Sequence, residues 1–191
     1  AATGRLIPAG ARTANALVTF VIYLEKTFLP LNMAVYYPFP SHIPVWQVIG
    51  AALLIALITV FVIAVMKRLP YLFAGWFWYA VTMAPVIGMI QISVSAPCEM
   101  ADRYHYLPSI GLAVMLAWGI PALIEREDLR KKILLPAGIL AIAALAVTAW
   151  IQCGHWKNSM QLWTHALKVT KDNAVACENM GIVLSETGKY E

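Results

Sequence analysis

Apolar residues run almost unbroken through four stretches of this chain, at about 45–66, 71–92, 107–124 and 133–152. Each approaches the roughly 20 residues that an α-helix needs to cross bilayer hydrocarbon. The first closes on Lys67 and Arg68, and the third closes on the charged string EREDLRKK at 125–132. Residues 69–97 hold no Asp, Glu, Lys or Arg, but Pro85 and Gly88 interrupt the second stretch, predicting a kink or a split into two shorter helices.

The pattern differs at both ends. ANALVTFVIYLEKTFLP (14–30) has an apolar run too short to span before Glu25 and Lys26, and YYPFPSHIP (36–44) follows it. This predicts an interfacial helix on the outer membrane face and then an extended Pro-rich, aromatic loop, with a short fifth span as the alternative. Beyond Gln152 the spacing of Leu162, Ala166 and Val169, a KDNA break, and then Ala176, Met180 and Leu184 predict two amphipathic helices outside the membrane. Three regions result: an outer-face segment at 1–43, a transmembrane region at 44–152, and a non-cytoplasmic tail at 153–191.

Composition sharpens this into an all-α membrane protein. Hydrophobic residues make up 61% of the 191 and charged ones 13%, against about 25% charged in soluble domains. The net charge of +4 comes from scattered residues, which excludes a nucleic-acid footprint. Instead it orients the chain. Lys67, Arg68, Arg126, Arg130, Lys131 and Lys132 fall in the loops after the first and third spans, whereas Arg103 is alone between the second and third. Basic loops stay cytoplasmic, so residues 98–109 and the tail are expected outside. The start lacks Met and a basic n-region, and the end falls partway through a helical repeat, so the expectation is an internal fragment.

Asn179, Met180, Gly181, Leu184, Gly188 and Tyr190 are similar to the first helix of a tetratricopeptide repeat, in which a small residue lets the paired helix approach. About three repeats are needed for a stable stack, so more are expected to follow. Together RTANALVTFVIYLEKTFLPLNMAVYYP (12–38), MADRYHYLPSIG (100–111) and WKNSMQLWTHALKVTKDNAVACENMGIVLSETGKYE (156–191) resemble bacterial relatives of the TMTC-type proteins. That resemblance implies a membrane glycosyltransferase of the GT-C class with a tetratricopeptide tail. It also implies transfer of a sugar, mannose in the eukaryotic relatives, from a polyprenyl-phosphate carrier to an acceptor on the non-cytoplasmic side. In a bacterium that is an inner-membrane protein with a periplasmic tail. The catalytic acidic residue of the class belongs to a first outer loop upstream of these residues, so the chain is expected to be the C-terminal part of a transferase core, inactive alone.

Within that frame CEMADRYHYLPS (98–109) is the candidate substrate site, because it puts Glu99, Asp102, Arg103, His105 and Tyr106 between two apolar runs. Arg103 is expected to clamp the carrier phosphate, since a guanidinium gives bidentate, charge-assisted bonds and keeps its charge when desolvated. The plain alternative is an Arg paired locally at the headgroup boundary. Asp102 and Glu99 would orient Arg103 or meet sugar hydroxyls, or be simply solvated. His105 is a candidate proton shuttle, and Tyr104 and Tyr106 sit where an aromatic belt is expected. Tyr36, Tyr37 and His42 form a second outer cluster, lining a carrier groove or anchoring the interface. Trp76, Trp78 and Trp118 are expected to pack helices or meet lipid.

Cys98, Cys153 and Cys177 have neither CxxC nor metal-ligand spacing, so neither a disulfide framework nor a metal site is expected. A divalent-metal requirement stays open, as does a non-enzymatic reading in which the membrane part anchors a repeat scaffold for protein partners. A transporter would carry ionisable residues inside its spans, and these span interiors have none.

Overall fold

A computed structural model describes residues 8–30, 33–38, 40, 42–87, 101–124 and 127–188. Gly88 and the rest of the second predicted span, Glu99, Arg126 and Tyr190 lie outside the described residues. The described chain is all-helical: α1 (Ala9–Phe28), α2 (Val45–Val65), α3 (Pro70–Met83), a 3-10 turn (Asp102–His105) running into α4 (Tyr106–Ala122), α5 (Glu127–His155), α6 (Ser159–Val169) and α7 (Ala174–Glu186). Among the described residues, three helical segments are long and apolar enough to cross a membrane: Val45–Val65, Asp102–Ala122 and Lys131–His155. Their flanks carry exposed Leu53, Leu57, Val60, Leu140, Ile142 and Val147, as expected where lipid rather than water is the solvent. This is an integral membrane protein.

Local sequence sets the helix ends. Pro70 occupies the first turn of α3, where a missing N–H costs nothing. The helix stops at Met83, two residues before Pro85, whose ring would meet the carbonyl four residues back. Residues 84–87 continue as turns, with Val86 N and Ile87 N both bonded to Met83 O. Asn158 Oδ1 accepts from Gln161 N at 2.8 Å and starts α6; Asn173 Oδ1 accepts from Ala176 N at 3.0 Å and starts α7. Between α6 and α7 the chain reverses through Asp172, whose φ of 52° lies in the left-handed region that Asp tolerates.

The core joins α1, α2, α3 and α4. α1 buries Asn15, Ala16, Thr19, Phe20 and Tyr23 along one stripe. Phe20 meets the rings of Trp76 and Tyr79 edge-on, at 5.7 and 4.8 Å between centroids, a geometry that aligns ring edges with ring faces. Polar atoms inside this core find partners on other helices: Tyr79 OH donates to Phe20 O at 3.1 Å, and Trp76 Nε1 donates to Thr59 Oγ1 at 3.0 Å. Trp76 is buried, whereas Trp78 and Trp118 are exposed among apolar neighbours.

α3 and α4 touch backbone to backbone. A Cβ built on Gly75 would overlap Gly111 O, and one built on Gly111 would overlap Gly75 O. Only glycine fits at this crossing, where van der Waals contact replaces the hydrophobic drive that lipid cannot supply.

Candidate functional site

Residues 101–105 are held by the last two turns of α1. Tyr23, Lys26 and Thr27 lie three and four positions apart and so share one helix face. Each takes a different part of the segment. Tyr23 OH donates to Ala101 O at 3.0 Å and accepts from Ala101 N at 3.1 Å. Lys26 Nζ lies 3.5 Å from Asp102 Oδ1. Thr27 Oγ1 lies 2.7 Å from His105 Nε2. The Thr27 hydroxyl also lies 3.0 Å from Tyr23 O, so it sits between that carbonyl and the imidazole.

The Asp102 carboxylate is fully engaged. Oδ2 accepts from Tyr37 OH and from Ala34 N, both at 3.0 Å, while Oδ1 faces Lys26. Tyr37 OH also accepts from Ala34 N at 2.7 Å and from Lys26 Nζ, and the ammonium lies over the Tyr37 ring, 4.4 Å from its centroid. Burial pushes the Lys26 ammonium below its usual range, and the Asp102 charge pulls it back. Burial, reinforced by the Asp102 charge, pushes the Tyr37 phenol up, which keeps its proton available to Asp102.

The six nominated side chains therefore separate. Asp102, Arg103 and Tyr106 line a cavity of about 400 Å³, while Tyr37 stands behind Asp102. Asp102 is turned to Lys26, the single ion pair among the described residues, and not to Arg103. Arg103 is exposed; its guanidinium lies 4.9 Å from the Tyr104 ring centroid and donates to Tyr104 OH at 3.3 Å. His105 faces α1 instead of the cavity, stacked on Tyr23 at 5.4 Å, with Nδ1 buried and unpartnered among the described residues. Glu99 is outside the described residues.

Much of the cavity wall comes from the second half of α5, from Trp156 just after it and from α6: Leu145, Gln152, Cys153, His155, Trp156 and His165. Its remaining side is Pro30, Met33, Ala34 and Val35. His155 and His165 stack face to face, 3.8 Å between centroids and 9° between planes. None of these wall residues, nor Lys26 or Thr27, stands out in the sequence as a site residue. Lys26, Thr27, Pro30, Met33, Ala34, Val35, Trp156 and His165 fall within the stretches 12–38 and 156–191 that carry the resemblance, whereas Leu145, Gln152, Cys153 and His155 lie outside them and had no signal. Chemically, one guanidinium at the edge of a mainly apolar cleft suits an amphiphile with an anionic head.

No family model matches the chain, and no solved structure does. It is similar to protein O-mannosyl-transferase Tmtc2 of Drosophila melanogaster, 29% identical over 92 residues, which is 48% of this chain and 10% of that protein. It is also similar to protein O-mannosyl-transferase TMTC4 of Homo sapiens, 34% identical over 90 residues, and of Mus musculus, 37% identical over 90 residues; each match covers 47% of this chain and 12% of the relative. The matched part thus spans about a tenth of the length of these relatives. Over about half its length, this chain is similar to protein O-mannosyl-transferases of the TMTC type.

Proposed function

We propose that this chain is part of a GT-C class membrane glycosyltransferase that passes mannose from a polyprenyl-phosphate carrier to a protein acceptor on the non-cytoplasmic side. The observation that carries the reading is the cavity that Arg103 shares with Trp156 and Leu145, beside the ends of two candidate spans. A carrier needs a cationic group for its phosphate and an apolar path for its chain, and both are there. Basic loops after the first and third predicted spans, and their scarcity around 98–109, support a non-cytoplasmic site. The approach of residues 102–106 to the end of α5 agrees with this, since both then lie on one side. In a bacterial inner membrane that side is the periplasm, and α6 and α7 begin a tetratricopeptide tail that offers a surface to the acceptor or to other proteins.

In this reading Arg103 binds the carrier phosphate and stabilises the charge that develops as the sugar leaves. Tyr106, 78% exposed at the cavity, stacks against the sugar. Asp102 fixes the turn that carries Arg103, and Tyr37 and Lys26 fix Asp102. His105 braces the turn against α1 through its contact with Thr27. The test is mannosyl transfer from a polyprenyl-phosphate donor by full-length protein in membranes at matched expression. Arg103→Ala should lower the rate about 10- to 100-fold, the range of a charge-assisted bond, and Arg103→Lys about 10-fold, because the planar fork is lost. Wild-type rates in both would end the phosphate-clamp assignment.

A further inference from the structure

The helices that follow the last candidate span reach back to the cavity. His165 Nε2 donates to Met33 O at 3.0 Å, and Gln152 Nε2 points to the same carbonyl at 3.5 Å. Asn173 Nδ2 donates to Tyr36 O at 3.2 Å. Between these two carbonyls lie Ala34 and Val35, which line the cavity, and Ala34 N is bonded to Asp102. Residues 33–36 are thus gripped from two sides, by α6 and the α7 cap on one and by Asp102 on the other. A connecting segment with no regular structure keeps one shape only where its backbone groups are tied down. Here the ties at Met33 O and Tyr36 O come from the tail.

We propose that His165 and Asn173 are positioning residues of the cavity, which set 33–36 as its wall, so that the tail helices are part of the ligand site. The identity of the ligand rests on the reading above; the setting of the wall does not.

Asn173 allows its two duties to be separated. Its Oδ1 caps α7 through Ala176 N, while its Nδ2 serves Tyr36 O and, at 2.9 Å, Thr170 Oγ1. Asn173→Asp keeps an acceptor well suited to a helix N-terminus and removes the donor to the wall. His165→Leu removes the other donor, whereas His165→Gln restores an N–H.

Cys153 gives the readout, being exposed and in the cavity lining. In full-length protein in lipid nanodiscs, with Cys98 and Cys177 replaced by Ser, maleimide modification of Cys153 is timed with and without farnesyl phosphate. Asn173→Asp and His165→Leu should each speed labelling about threefold and raise the farnesyl phosphate concentration for half-protection about fivefold, the size expected for one lost hydrogen bond. Asn173→Asp should keep the amplitude of the helical signal, because the cap on α7 remains, and His165→Gln should recover most of the protection lost in His165→Leu. Labelling rates and half-protection equal to wild type in both Asn173→Asp and His165→Leu would overturn the assignment. If farnesyl phosphate protects no variant, wild type included, while labelling still accelerates in both, the positioning role stands and the lipid-phosphate reading falls.

Discussion

The α3–α4 crossing and the junction around Asp102 hold the chain together by opposite means. At the crossing, Gly75 and Gly111 bring two backbones into contact with no side chain between them. At the junction, almost every contact is polar: Lys26, Tyr37 and Ala34 N converge on one carboxylate, and Tyr23 takes both backbone groups of Ala101. The crossing depends on shape alone and fails when atoms are added. The junction depends on charge balance and fails when one partner is removed. Apolar lipid gives helices no reason to associate, so shape and polar partners must do what water does for a soluble core.

The largest expected effect breaks the junction. Lys26 and Asp102 have side chains only 13% and 16% exposed, and removing one member of such a pair strands the other's charge. Lys26→Met should cost about 3–5 kcal/mol of stability, read as the thermal transition of detergent-solubilised protein. Lys26→Met combined with Asp102→Asn should lose clearly less than the single variant, because no charge is then left unpaired; an equal loss would show that packing, not charge, governs this region. Next comes the crossing: Gly111→Ala should cost about 1–3 kcal/mol by forcing α3 and α4 apart, with no rescue from any charge change. A Gly111→Ala protein as stable as wild type would remove the shape argument. The smallest effect sharpens the contrast inside the bundle. Trp76→Phe keeps the ring that meets Phe20 but loses the bond to Thr59, and should cost about 1 kcal/mol or less.

The parts of the fold that were legible in the sequence are those fixed by neighbours along the chain. Continuous apolar runs gave the helical, membrane-spanning class, and Pro85 marked where α3 gives way. The junction was less legible for a physical reason: Lys26 and Asp102 are 76 positions apart, and no local periodicity encodes such a pairing. Lys26 read along the chain only as the charge that ends an apolar run. Asp102 and Arg103, adjacent in sequence, read as natural partners, yet the 3-10 turn sends one to α1 and leaves the other at the cavity. His105 read as chemistry because histidine titrates near neutrality, but only the fold could show that its Nε2 meets Thr27 and its ring stacks on Tyr23. His155 and His165 were invisible as a pair because the break between α5 and α6 is what stacks them.

The Tyr23 hydroxyl, which serves both backbone groups of Ala101, also sets a timetable for biogenesis. The two residues are separated by 78 positions, and at a synthesis rate of about 5–20 residues per second the second arrives about 4–16 s after the first. In that interval α1 can already meet Trp76, Tyr79 and Tyr37, but the Tyr23 hydroxyl and the Lys26 ammonium still lack Ala101 and Asp102. The polar junction at the end of α1 is therefore completed only after residues 101–102 have been made. The aromatic core of α1, α2 and α3 can thus form seconds before the polar junction closes over it.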